Sequence, residues 1–92
     1  MKIYQITYDL RQQRNYQPLY QRIEAISSWC HALESTWIVA SEQTATQIRD
    51  HLLLLIEADD GLLVTRLSGE AAWYEINNEA TRWLKQNMGA AT

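Results

Sequence analysis

The fold is decided by the N-terminal run Ile3-Tyr4-Gln5-Ile6-Thr7-Tyr8-Asp9-Leu10, which is rich in β-branched and aromatic residues. Because successive side chains of a strand point to opposite faces, Tyr4, Ile6 and Tyr8 share one side, which has the character of a core face. The more polar face ends in Asp9. An acid at the end of a first strand, just before a helix, is where α/β folds often place functional groups. By position alone, capping or termination is the commoner role of such an acid.

The size and composition are those of one ordinary globular domain. The chain has 92 residues, of which 47% are hydrophobic and 21% charged. The longest apolar run, Leu52–Ile56, is too short to span a bilayer, and the polar alternation that follows Lys2 is not a secretory signal. We therefore expect a cytoplasmic protein with no membrane partner. The single Cys30 excludes an internal disulfide and a Cys-rich zinc site.

The charge of the chain is unevenly distributed. A net charge of -3 argues against non-specific coating of nucleic acid, because that affinity comes from Lys and Arg neutralising phosphates. Residues 1–23, however, contain four basic residues and one acid, Asp9, whereas residues 24–92 contain four bases and ten acids. Two of the N-terminal bases, Arg11 and Arg14, lie within five residues of Asp9. The sequence therefore places its excess of positive charge beside the candidate carboxylate.

Local patterns predict the elements of the first half. The polar residues 11–15 form a connection in which Asn15 is available as a helix cap. A stripe at helical spacing then predicts a first helix with one apolar face. Its members are Tyr16, Leu19, Tyr20, Ile23 and Ile26. The segment Trp29–Ala40 is aromatic and β-branched, and Glu34-Ser35 divides it into two strands at a turn or bulge.

A second helix is predicted from its cap. Thr44 and Gln47 match a capping box, so the helix should begin there and run to about Glu57. Leu53 and Leu54 make its apolar surface wider than one sheet face requires. Two explanations stay open, a deeper core and a contact with another subunit, and we favour the core.

The remaining segments complete one domain. Asp59-Asp60-Gly61 predicts a turn, and Leu62–Leu67 predicts an apolar strand. The run Ala71–Ile76 is compatible with a short fifth strand or with a lead-in to a final helix over Glu79–Gln86. We predict an α+β fold of the ferredoxin-like βαββαβ type, with an antiparallel sheet and both helices on one face. This core spans about residues 2–67, and a C-terminal helical extension spans about residues 70–88.

Several other candidate sites are less convincing. Cys30 and His31 are adjacent, so in a strand they face opposite ways and do not act as nucleophile and base. His51 has no second ligand at helical spacing, which makes a metal site there improbable. The pair Asp59-Asp60 lacks the further oxygen ligands of an EF-hand and is typical of a solvated turn. There is no Gly-rich phosphate loop, so a cofactor-dependent enzyme of small molecules ranks third among the function classes.

Taken in order, these segments resemble a known family. The matching stretches are Thr7-Tyr8-Asp9-Leu10, Glu34-Ser35-Thr36-Trp37-Ile38-Val39, the capped second helix, and Asp59-Asp60 before Leu62-Leu63-Val64. Their order and spacing are similar to the small CRISPR-associated proteins of the second core family, the dimeric partner of the spacer integrase. The chain looks closer still to a stand-alone bacterial branch of that superfamily, labelled SinR-like although it has no helix-turn-helix, with VapD-type toxins as further relatives. The resemblance covers roughly residues 2–67.

The resemblance implies a fold, a partner and a site. It implies a ferredoxin-like homodimer formed through the open sheet faces and, as in several members, metal-dependent cleavage of RNA or DNA. Asp9 of both subunits would be the catalytic residue and the Mg²⁺ ligand, and Arg11, Arg14 and Ser35 would contact nucleic acid. Mg²⁺ keeps several waters and needs only one or two carboxylates besides substrate phosphate, so two Asp9 side chains could suffice. Neighbouring arginines would hold phosphate.

Two functional hypotheses therefore stand side by side. The first is a Mg²⁺-dependent nuclease or toxin-like enzyme with Asp9 at its centre, and it is slightly favoured because arginines cluster beside that carboxylate. The second is a non-catalytic homodimer whose aromatic C-terminal extension, with Trp73 and Trp83, binds a protein partner.

Overall fold

The structure, a computed structural model, describes residues 1–11 and 16–88. These residues form an α+β fold with one four-stranded antiparallel sheet and three helices. In chain order the elements are β1 (Lys2–Asp9), α1 (Gln17–Glu24), β2 (Ser28–Leu33), β3 (Thr36–Ser41), α2 (Ala45–Leu53), β4 (Gly61–Leu67) and α3 (Asn78–Asn87). None of the helices in these two ranges is long and apolar enough to cross a membrane.

The strand order is β2-β3-β1-β4, so β1 is central and neighbours both β3 and β4. At its middle, Ile6 is paired with Trp37 of β3 and Val64 of β4. The predicted alternation along β1 is confirmed, because Tyr4, Ile6 and Tyr8 are buried whereas Asp9 is exposed. The turn predicted at Glu34-Ser35 is confirmed as well, since β2 and β3 pair on either side of it.

The first core lies between this buried face of β1 and the helices α1 and α2. Leu19 and Ile23 of α1, together with Ile48 and Leu52 of α2, are fully or almost fully buried there. Trp37 is the largest side chain in the core. Burial of one such aliphatic side chain stabilises the fold by about 1.5–3 kcal/mol. The apolar stripe predicted for α1, and the buried residues of α2, therefore hold these two helices on one face of the sheet.

The start of α1 depends on packing more than on a cap. The predicted cap, Asn15, lies outside the described residues, and the N-cap position is occupied by Tyr16, which makes no capping side-chain hydrogen bond. Pro18 lies in the first turn, where a helix needs no N–H donor.

The capping box of α2 is confirmed on both sides. The Thr44 hydroxyl accepts a hydrogen bond from the Gln47 N–H at 3.1 Å, and the Gln47 side chain accepts from the Thr44 N–H at 2.9 Å. These two bonds satisfy donors that the first helical turn leaves unpaired.

The predicted end of α2, and the core role of its leucine pair, are wrong. The helix ends at Leu53 instead of Glu57, and Leu53 and Leu54 are 48% and 81% exposed. The chain leaves the helix in a turn that starts at Leu54, and this turn directs Leu55 back onto the core. Leu53 and Leu54 are exposed because α2 ends about one turn earlier than the apolar run predicts.

A second core forms on the opposite face of the sheet. Residues 70–77 are irregular, so the alternative of a fifth strand over 71–76 is not adopted. They lead to α3, where the Asn77 side chain accepts a hydrogen bond from the Ala80 N–H at 2.7 Å. Ala80, Leu84 and Met88 then pack against Cys30 and Ile38.

This packing corrects the expectation that the second sheet face is open for pairing with another copy. The second core includes residues of all four strands, with Ile3 of β1 and Leu67 of β4 beside Cys30 and Ile38, because the apolar stripe of α3 needs a surface to bury. One row across the sheet stays partly uncovered at the end nearest Asp9. The strand register places its members side by side: Leu33, Thr36, Thr7 and Leu63. The two leucines at its ends are 56% and 61% exposed.

Candidate functional site at the end of the first strand

Asp9 is the last residue of β1 and is paired with Gly61, the first residue of β4. Its side chain is 71% exposed, and its Oδ2 accepts a hydrogen bond from Arg11 Nε at 3.1 Å. Within the described ranges no donor contacts the other carboxylate oxygen, Oδ1. The positive charge that the sequence places beside Asp9 thus forms a direct ion pair with it at the surface.

Arg11 is held at three points. Besides the bond to Asp9, its Nη1 donates to the Asp59 carbonyl at 2.9 Å, and its backbone N–H donates to Asp60 Oδ1 at 3.0 Å. Gly61 leaves room for the guanidinium, since a Cβ at that position would stand 3.1 Å from Arg11 Nη2. The turn before β4 therefore fixes the direction of Arg11 as it leaves the sheet.

The Asp60 carboxylate links the residues after β1, the start of α1 and the residues after α2. In addition to the Arg11 N–H, it accepts from the Tyr16 hydroxyl at 3.0 and 3.1 Å and from the Glu57 N–H at 2.9 Å. The oxygens of this carboxylate are thus hydrogen-bonded by donors of the protein itself, without a metal. The turn interpretation of Asp59-Asp60 agrees with this arrangement. Asp60 and Gly61 were not among the predicted neighbours of Asp9, although the Asp-Asp-Gly motif predicts the turn.

Ser35 lies at the same end of the sheet. It belongs to the turn between β2 and β3, and its carbonyl accepts a hydrogen bond from the Tyr8 N–H at 3.2 Å. It is thereby placed beside the residue that precedes Asp9. Arg14 lies outside the described residues. Of the predicted site residues, the structure brings Asp9 and Arg11 into contact and places Ser35 on the adjacent strand end.

The electrostatic character of this corner is acidic in the part of the chain that the structure describes. Asp9, Asp59 and Asp60 surround one base, Arg11. Such a corner attracts cations more readily than phosphate. Across residues 1–11 and 16–88, no three His, Cys, Asp or Glu side chains come together as a metal-binding group. At this corner the Asp9 carboxylate is exposed, and no donor of the described residues contacts its Oδ1, so Asp9 is the candidate metal ligand that one chain contributes.

A cluster of rings lies behind this corner, on the α1 side of the sheet. Trp37 donates from Nε1 to the Tyr8 hydroxyl at 2.9 Å, and that hydroxyl donates to the Glu34 carbonyl at 3.2 Å. Burial raises the pKa of Tyr8 to about 12, so the phenol is neutral at ordinary pH. The His31 ring stacks on Trp37 with centroids 3.9 Å apart. Tyr8 is therefore a structural group and not an activated nucleophile.

Cys30 and His31 are separated by the sheet, as predicted. Cys30 is buried under α3, and its burial raises the pKa of the thiol to about 11. His31 is on the other face, against Trp37, with its Nε2 3.1 Å from the Glu34 carbonyl oxygen. A protonated, buried thiol is a poor nucleophile, so these residues do not form a Cys/His pair.

No protein-family model matches the chain, and no solved structure matches it. The functional interpretation consequently depends on the geometry of this corner and of the surfaces around it.

Proposed function

We propose that the chain is a homodimeric, metal-dependent nuclease of the CRISPR-associated ferredoxin-like type, which cleaves RNA or DNA in the cytoplasm with Asp9 as metal ligand and catalytic residue. The observation that supports it most is the exposed Asp9 carboxylate at the end of the central strand, with Arg11 fixed beside it. In this proposal Arg11, Arg14 and Ser35 contact the phosphates of the substrate.

The order β2-β3-β1-β4 supports the ferredoxin-like assignment. In this order the unit β1-α1-β2 has β3 inserted between its strands, and the unit β3-α2-β4 has β1 inserted between its strands. Two interleaved β-α-β units of this kind define the split arrangement of that fold.

The residues at the corner are compatible with Mg²⁺ if two copies contribute. Asp9 Oδ1 is available, and a single carboxylate from each chain meets the modest demand of Mg²⁺ for protein ligands. Bound Mg²⁺ would supply Lewis-acid stabilisation of charge on the scissile phosphate. The ion pair with Arg11 is no obstacle, because exposed pairs contribute only about 0–1 kcal/mol.

The partly uncovered row on the sheet supports the dimer. Leu33 and Leu63 expose more than half of their surface at its two ends, and a second copy that covers them would bury apolar area. The row adjoins Asp9, since Thr7 and Asp9 lie on the same face of β1. A contact between copies there would bring the two Asp9 corners toward one interface.

The nuclease proposal is tested with Asp9→Asn, which preserves the size of the side chain and removes the charge that a metal needs. Labelled single-stranded RNA and double-stranded DNA are incubated with Mg²⁺ or Mn²⁺ and with wild type or variant. Asp50→Asn is the matched control, because Asp50 also forms an exposed ion pair, with Arg49 at 2.8 Å, on a different element. Cleavage by wild type and Asp50→Asn, but not by Asp9→Asn, is expected. If none of the proteins cleaves, or all cleave alike, the nuclease proposal fails.

A second candidate is a non-catalytic homodimer that binds a protein through its C-terminal extension. It is favoured by the many internal bonds of the corner, since Arg11 and Asp60 serve there to tie β1 to the turn before β4. Sedimentation of Leu63→Glu, compared with Leu54→Glu on the outside of α2, tests the dimer that both candidates share. A dimer lost only in Leu63→Glu, with no cleavage by the wild type, selects this second candidate.

A further inference from the structure

Two adjoining clefts lie at the end of the sheet opposite Asp9. The first has a volume of about 470 Å³ and is bounded by α1, α2, the start of β1 and the end of β3. The second has a volume of about 440 Å³ and lies between α1 and the residues that follow α2. Arg22, Ala25 and His51 line both clefts, so the two form one continuous depression between the helices. Its size is within the range of small-molecule sites.

The walls of the depression are largely apolar. Ile48 and Leu52 lie at the base of the first cleft and are themselves buried, with the partly buried Ile26 beside them. Leu54, which is almost fully exposed, forms a wall of the second cleft together with Pro18. A ligand with an apolar body would therefore remove leucine and isoleucine surface from water.

Arg22 supplies the guanidinium that lines the depression, and this group has no partner among the described residues. It lies in the last turn of α1, and its guanidinium makes no hydrogen bond or ion pair with any residue of the two described ranges, whereas the Arg11 and Arg49 side chains each bind an aspartate. A favourable interaction with the end of the helix is the structural alternative for Arg22. That alternative does not explain why an imidazole, His51, lines the same two clefts from α2.

The acids around the depression indicate where an anion would be accepted. Glu42 lines the first cleft only, and no described residue that lines the second cleft is acidic. His51 has its Nδ1 3.4 Å from the Gln43 side-chain nitrogen, which leaves Nε2 for another contact. An anionic group is thus best placed at the shared boundary of the clefts, between Arg22 and His51.

We propose that this depression binds a small organic anion with an apolar body. A carboxylate is held at the boundary by the Arg22 guanidinium and the His51 ring, and the apolar body lies on Ile48 and Leu52. Arg22 suits this role because a guanidinium donates two parallel hydrogen bonds to a carboxylate. The site is independent of the Asp9 corner and of its proposed activity.

The test uses octanoate as the probe and isothermal titration calorimetry as the measurement. We expect saturable binding of octanoate to the wild type with a dissociation constant of about 1 mM or tighter. Octanamide, which has the same body without the charge, should bind about tenfold more weakly. Arg22→Gln should weaken octanoate binding about tenfold, and Ala25→Leu, which fills the shared wall, should abolish it.

Arg66→Gln is the matched control, since it removes the same charge from an exposed position on β4. Thermal unfolding of each variant establishes that it is folded before titration. Shifts in the amide NMR signals of Ala25 and His51 on addition of octanoate should accompany binding. Absence of saturable binding, equal binding of octanoate and octanamide, or equal weakening by Arg22→Gln and Arg66→Gln would each overturn the proposal.

Discussion

Replacement of Tyr8 by phenylalanine should destabilise the protein by an amount that depends on pH. The Tyr8 hydroxyl accepts from Trp37 Nε1 at 2.9 Å and donates to the Glu34 carbonyl at 3.2 Å. Phenylalanine keeps the ring in the core and removes both bonds. The indole N–H of Trp37, a residue only 1% exposed, then has no partner. A buried donor without an acceptor costs about 1–3 kcal/mol, so Tyr8→Phe should lower the free energy of unfolding by that amount near neutral pH.

The alkaline range provides a second, independent signature. The pKa of Tyr8 is raised from 10.0 to about 12 in the folded protein by burial. As the pH rises, Tyr8 ionises in the unfolded chain before it ionises in the folded protein, and this favours unfolding. The stability associated with the neutral phenol is therefore fully present below pH 10.0 and is lost as the pH rises through about 12. At about pH 11 the loss amounts to about 1.4 kcal/mol. Phenylalanine does not ionise, so the variant lacks this loss, and the difference between wild type and variant should shrink by that amount.

Urea unfolding of wild type and variant at about pH 8 and about pH 11 measures both effects. Tyr74→Phe, at an exposed tyrosine, is the matched control and should change stability by less than about 0.5 kcal/mol at either pH. Titration of the other groups is common to all three proteins and cancels in the comparison. The reasoning is refuted if Tyr8→Phe is as stable as the control at the lower pH, or if its destabilisation is the same at both.

Three further predictions concern the corner and the second core. Asp60→Ala removes the acceptor of three donors and should lower the free energy of unfolding, measured by urea denaturation, by about 2–4 kcal/mol. A loss below about 0.5 kcal/mol would contradict the stabilising role of the Asp60 hydrogen bonds. Leu84→Ala in α3 should lower the free energy of unfolding by about 2–4 kcal/mol, whereas Lys85→Ala on the exposed side should lower it by less than about 0.5 kcal/mol. Equal effects of the two substitutions would mean that α3 is not packed on the sheet. Iodoacetamide should alkylate Cys30 slowly in the folded protein at neutral pH and quickly in denaturant, because burial raises the thiol pKa to about 11. Rapid alkylation of the folded protein would argue against burial of Cys30.

Predictions from local patterns succeeded where the physical cause is local. The period of two in β1 and the helical period of α1 and α2 follow from which side chains share a face, and each was confirmed by burial. The capping box at Thr44 was confirmed because its two hydrogen bonds span only three residues. Asp9 and Arg11 are two residues apart in the sequence, and they form an ion pair in the structure.

Predictions failed where the outcome depends on distant parts of the chain. The apolar run through Leu53 and Leu54 does not indicate that α2 ends at Leu53 and that both leucines are exposed. The role of Asp60 at the Asp9 corner depends on the pairing of β1 with β4, whose partners Asp9 and Gly61 are far apart in sequence. No local pattern specifies such a pairing.

The sequence by itself determined the strands, the helices, their buried stripes and the carboxylate that ends the first strand, because side-chain periodicity and capping act over a few residues. Only the tertiary structure decided that α3 packs on the second sheet face and that Arg11 is held by the Asp59-Asp60 turn. It also decided that Arg22 and His51 line one depression at the far end. The physical reason is that burial and hydrogen-bond partners are settled by which elements meet, and those elements lie 20 or more residues apart along the chain.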